Sequence, residues 1–378
     1  MNSTYSVAIG SRSGEVPENL WLNNRTWDLT FISLSAVLVL LPFGAYEIFK
    51  YLLSIDTIRT TFGVTPSDVL DVSRNTVNGL IALFIGGPHM YSTYTRTFLD
   101  GDFRKHHIVF LLGSLVLPFF VVYLGVVNFQ LLITLFFFWA SVHILHQMAY
   151  IIDCYNKKNT KPISLPSRIL DYAVVFSSLY PIGVWRMVND DFSIGQNKIM
   201  FPEALTIQND PNLGWGIFLF VVLIFGVSLT LWLARTYREY TRGELHTPKA
   251  LLMGLTIVVS FFIPAYHELD VAFQGFNTWH SFQYLGLTFY INRLRQQKEG
   301  ISTPLIRNMS LEGKTWKFYF FNVGCALGAV GMIALLLVNR HALGFSFDQC
   351  YYVVVLSFLL MHYYHDHLLF TKTDAILA

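Results

Sequence analysis

The chain has 378 residues, of which 53% are hydrophobic, 16% aromatic and only 13% charged, about half the charged share of an ordinary soluble domain. With a mean hydropathy of +0.46 and a formal net charge of +2, this composition excludes a soluble globular protein. The lack of a dense basic stripe excludes a nucleic-acid partner, and Cys154, Cys325 and Cys350, far apart and without a CxxC, exclude a thiolate metal site or a disulfide scaffold.

Residues 1–27 are polar with no apolar core near the start, so no cleavable signal peptide is expected and the first spanning helix does the targeting. Apolar runs of about twenty residues then follow at roughly 29–49, 76–97, 107–126, 128–151, 169–189, 213–235, 249–267, 272–293, 318–338 and 350–370. They predict an all-α, polytopic membrane bundle of about ten transmembrane helices. Residues 28–371 form its single domain, flanked by the segment 1–27 and a short tail, 372–378. The third and fourth runs are nearly continuous, and the fifth is interrupted by Pro181 and closed by Arg186.

Basic residues in short loops mark the cytoplasmic side. They gather after the even-numbered runs, at Arg96, Arg104 and Lys105, at Lys157, Lys158, Lys161 and Arg168, at Arg235, Arg238 and Arg242, and at Arg293, Arg295 and Lys298. The connection between runs five and six is acidic, with Asp190, Asp191, Glu203 and Asp210. Both termini are therefore expected in the cytoplasm, in what reads as a bacterial inner membrane, and Lys372 agrees.

Histidines recur inside the even-numbered runs: His89 in the second, His143 and His146 in the fourth, His280 in the eighth, His362 and His365 in the tenth. Counted from the basic residue ending each helix, they lie about 10–20 Å from the cytoplasmic boundary at 1.5 Å per residue. Imidazole is costly in hydrocarbon and normally appears there only when something binds it. Four helices presenting it at one depth is what a buried metal site needs. His89, His143, His146, His280, His362 and His365 are the candidate ligands. Gln147, Gln283, Asp366 and Tyr284, with Tyr91, Tyr94 and Tyr363, are candidates to hold their second ring nitrogens. His106, His107 and His367 lie near the boundary as additional candidates. Gly86 and Gly87 ahead of Pro88 loosen the helix just before His89.

Nitrogen-rich ligation with carboxylate support and no thiolate suits iron, zinc or copper better than magnesium or calcium, and the expected cofactor is non-haem iron, one ion or two, with zinc or copper behind it. In an apolar shell such a centre would act on a lipid, carotenoid or other long apolar molecule arriving from the membrane lipids. The reading is a non-haem iron oxygenase, desaturase or hydroxylase. No flavin, nicotinamide or iron–sulfur motif is visible, so reducing equivalents would come from a separate electron donor. A His/Asp-lined transporter and a haem-binding electron carrier use the same residue types and remain alternatives.

Pro88-His89 in a spanning helix, with His143, His280 and His362 on others, faintly resembles the Brp/Blh family of bacterial membrane carotene-cleaving oxygenases, although Met90 stands where that family has glycine. The resemblance implies a single iron held by several histidines and oxidative cleavage of a polyene. His143-x-x-His146 and His362-x-x-His365-x-His367 more loosely resemble the histidine boxes of membrane di-iron desaturases and hydroxylases, which would imply two irons.

Overall fold

In the computed structural model, residues 20–159, 162–371, 373 and 376 are described. Lys161, Lys372, most of the segment 1–27 and most of the tail lie outside the described residues. Among the described residues the chain is all-α apart from one hairpin of two two-residue strands. The helices are α1 (Arg25–Ser54), α2 (Val69–Ile81), α3 (Gly87–Tyr94), α4 (Gly101–Val127), α5 (Phe129–Lys158), α6 (Leu165–Ser178) and α7 (Tyr180–Val188). They continue with α8 (Pro211–Thr241), α9 (Thr247–Ala265), α10 (Leu269–Gln297), α11 (Thr315–Val338) and α12 (Phe347–Leu369). Six of them, α1, α4, α5, α8, α9 and α11, are long and apolar enough to cross a membrane. The other expected runs are helical too. Run five is divided between Leu179 and Tyr180, where Pro181 occupies the first turn of α7 and needs no amide hydrogen.

Between α4 and α5 only Asn128 leaves the helical conformation, and its side chain accepts from the Leu131 amide to cap α5. The acidic connection after α7 contains a feature not expected from the sequence, the hairpin β1 (Ser193–Ile194) and β2 (Asn197–Lys198). Its register pairs Ser193 with Lys198 and Ile194 with Asn197, turned by Gly195 at φ +57.

Apolar side chains on α4, α8 and α11, among them Val109, Leu223 and Leu335, are exposed. Polar ones on α3, α5, α10 and α12 are buried, including His89, Gln147, Gln283 and Asp366. That inversion of the soluble pattern is what a lipid-facing bundle with an internal polar centre requires. The central helix is α10, which packs on α1, α2 and α3, while α12 packs on α3, α4 and α11. Helix α1 passes through π-helical and 3₁₀ turns over residues 28–39, and the carbonyl it frees at Ile32 accepts from Gln283 Nε2.

Run two is continuous through a π-helical turn, Ala82–Gly86. Pro88, lacking an amide hydrogen, cannot donate to the preceding turn, and the wider turn absorbs that loss. Gly87 follows because nothing larger fits: a Cβ there would lie 2.6 Å from the Ala82 carbonyl oxygen and 2.8 Å from Ala326 Cβ on α11. Pro88 and its glycines thereby bring α3 against α11 and set His89 one turn deeper, facing α10 and α12.

Candidate metal centre

Four imidazoles from four helices close into a ring at the middle of the bundle. Their centroids are 5.1 Å apart for His89 and His280, 5.0 Å for His280 and His143, 4.9 Å for His143 and His362, and 4.7 Å for His362 and His89. None of the four is more than 4% exposed, and Asp366 beside them is wholly buried. The Nε2 atoms of His89 and His362 are 3.1 Å apart. Two nitrogens bound to one ion at about 2.0–2.1 Å are separated by roughly 3.0–3.4 Å at octahedral or tetrahedral angles, so this spacing suits adjacent ligands. Asp366 Oδ2 lies 3.5 Å from His362 Nε2 and 3.8 Å from His143 Nε2. Ligand atoms of His89, His280 and His362, and of His143, His362 and Asp366, form two groups, each close enough to share an ion.

The second nitrogens of two rings are fixed by hydroxyls. His89 Nδ1 is 2.8 Å from Ser281 Oγ, and His362 Nδ1 is 2.6 Å from Thr93 Oγ1. Thr93 and Tyr284 hydroxyls also reach Asp366 Oδ1, at 3.3 and 2.6 Å. One assignment serves the short contacts as a chain: the His362 Nδ1–H donates to Thr93 Oγ1, Thr93 donates to the Tyr284 hydroxyl at 2.6 Å, and Tyr284 donates to Asp366 Oδ1. Ser281 donates in turn to Asn277 Oδ1 at 3.2 Å, leaving its own oxygen to accept from His89. The Nε2 lone pairs of His89 and His362 are then left facing the ring. That is the arrangement in which outer hydrogen bonds fix the tautomer of a metal-ligating histidine.

By contrast, among the described residues His280 has no hydrogen-bond partner on Nδ1 or Nε2, and His143 Nε2 and Asp366 Oδ2 have none either. Leaving so many polar atoms of one cluster buried and unpaired is costly. A cation among them would satisfy them together.

The ring contains His89, His143, His280 and His362, with Asp366 and Tyr284 beside it. It does not contain His146 or His365. His365 is buried but engaged elsewhere, with Thr97 Oγ1 3.2 Å from Nδ1 and Ser114 Oγ 3.0 Å from Nε2. His146 lines a polar crevice with Tyr150 and Asp153, its ring 5.8 Å from that of the exposed His367. His106 is exposed and donates from Nδ1 to the Asp102 carbonyl, and His107 stacks on Phe103 at a kink in α4. The amides also act otherwise than expected. Gln147 Nε2 bonds the His280 backbone carbonyl and Gln283 Oε1, both at 3.1 Å, so this pair joins α5 to α10 and touches no ring nitrogen. Tyr363 stacks on His143 with centroids 4.0 Å apart. Thr93 and Ser281 do the work expected of the amides and were not anticipated. The available signal for Thr93 was its place four residues after His89.

A cavity of about 250 Å³ reaches this centre at His89 and Tyr363. Ala326, Val330, Leu356 and Leu359 form one wall, and Asn78, Asp270, Gln274 and Asn277 line another. These features define the class: a helical protein with membrane-crossing helices around a buried four-histidine, one-carboxylate cluster that could bind a metal. No protein-family model, characterised protein or solved structure matches the chain.

Proposed function

We propose that the chain is an integral-membrane, metal-dependent oxidoreductase. In this reading it spans a bacterial inner membrane ten times with both termini cytoplasmic. The four histidines hold one non-haem iron, and a lipophilic substrate is oxygenated, desaturated or hydroxylated beside it. The observation that carries the proposal is His280, fully buried among three other imidazoles with both ring nitrogens unpartnered.

Imidazole ligation next to a single carboxylate, with none of the three cysteines nearby, suits iron, zinc or copper rather than magnesium or calcium, and iron is the one of these that fits the oxidative reading. Iron with open positions supplies dioxygen chemistry when bound. The chain's own residues supply the rest. Ser281 and Thr93 orient His89 and His362, Tyr284 holds Asp366 by one oxygen, and the other oxygen is left toward the ring. The aliphatic wall of the cavity admits an apolar molecule to His89 while keeping water out. Electrons would come from a separate donor.

The test is metal analysis of detergent-purified protein with Mössbauer and visible spectra. About one iron per chain is expected, without a Soret band, and His280→Ala should lose it. Protein without stoichiometric transition metal even after reconstitution ends this reading. A Soret band would instead make the histidines haem ligands.

A further inference from the structure

Resting on the reading of the centre as acting on a lipophilic substrate, we propose that the substrate is a long-chain alcohol whose hydroxyl is held at the far end of the cavity, by Asp270 and Asn78. That end is polar and incompletely satisfied. Asp270, 5% exposed, takes Arg74 Nε at 2.9 Å and Asn78 Nδ2 at 3.0 Å on Oδ2. Its Oδ1 is buried with no donor, and so is Asn78 Oδ1. Both residues line the cavity. The single proton of an O–H can satisfy one of these acceptors, which a carbonyl or an ether cannot do, and an unmade buried hydrogen bond costs more than a made one contributes.

The rest of the cavity is built to match. Asp270 precedes His280 by ten residues on α10, and Asn78 precedes His89 by eleven through α2 and α3, so the hydroxyl would sit about 15 Å from the histidine ring. Between the two ends one wall is aliphatic, from Ala326 to Leu359. The hairpin closes the polar end. Ile194 lines the cavity, Gly195 lies against the Arg74 guanidinium, and Gln196 Nε2 donates to Asp71 Oδ2. On the side, Val330 on α11 is 45% exposed and Gly79 on α2 is exposed. That leaves an apolar mouth through which a chain enters from lipid while its head group reaches the hairpin.

The experiment uses full-length protein in lipid nanodiscs and two tritiated probes, geranylgeraniol and the same hydrocarbon without its hydroxyl, with binding read by scintillation proximity. Saturable binding of the alcohol is expected, about ten-fold tighter than that of the hydrocarbon. Asn78→Leu and the isosteric Asp270→Asn should each erase most of that preference while metal content stays at the wild-type level. Equal affinity for the two probes, no saturable binding of either, or a preference that survives both substitutions overturns the proposal. Wild-type protein that prefers the alcohol but holds no metal sinks the iron reading alone. Full metal with no preference sinks only this one.

Discussion

Thr93 ties three members of the centre together, since its one hydroxyl lies within hydrogen-bond reach of His362, Tyr284 and Asp366. Removing it frees a ring, a phenol and a carboxylate but no ligand atom. Thr93→Val should therefore lower metal affinity by about 10–100-fold, with Thr93→Ser restoring most of it, as measured by competition against a chromophoric chelator. Unchanged affinity would make the threonine a packing residue. The sequence displayed the histidines but not which of them would meet, because helical phase decides that. A residue three positions on is turned about 60° backward and one four positions on about 40° forward. In three helices the structure brings the four-residue partner to the centre, Thr93 after His89, Tyr284 after His280 and Asp366 after His362, while Gln147 after His143 bonds the His280 carbonyl instead. His146 and His365, three positions on, are carried out of the ring by the same arithmetic.

At the scale of the element, α9 begins on an unusual cap. His246 accepts the Lys249 amide through Nδ1 at 3.4 Å, so it must be neutral to perform that role. Burial first, and then the charge of Lys249, push its imidazole down to about 4 from an ordinary 6.5. The sign follows from linkage: the folded state resists a proton that the unfolded chain accepts below pH 6.5. The cap's contribution is thus complete above 6.5 and is lost as the pH falls toward 4, by an amount on the order of 3 kcal/mol. Melting temperature against pH in detergent should show that loss, and His246→Asn, a cap that does not titrate, should flatten it. A wild-type slope retained in the variant would assign the acid sensitivity elsewhere. Of the elements themselves, the helices were legible because twenty-residue apolar runs have few alternatives. The π-helical turn before His89 was foreshadowed by Gly86-Gly87-Pro88 only as a loosening. The hairpin was hidden in a loop whose two-residue strands are too short to show alternation.

At the scale of the whole molecule, the proposed side of each loop rests on the Lys and Arg distribution alone. With Asn212→Cys in the acidic connection and Glu312→Cys between α10 and α11, a membrane-impermeant maleimide should label the first in intact cells and the second only after lysis. The opposite pattern would invert the molecule in the membrane. The gathering of α3, α5, α10 and α12 around one point was legible from the common depth of their histidines. The cavity was not, because it is walled by residues from six helices and the hairpin, with no shared motif. The make-up of the cage also bears on valence. Four neutral imidazoles bring no charge and Asp366 brings at most one negative charge, while Arg96, 6% exposed, makes no ion pair among the described residues. Each further positive charge in such low-dielectric surroundings is costly, so an iron held there would favour the ferrous form at rest, and its ferric form would be strongly oxidising.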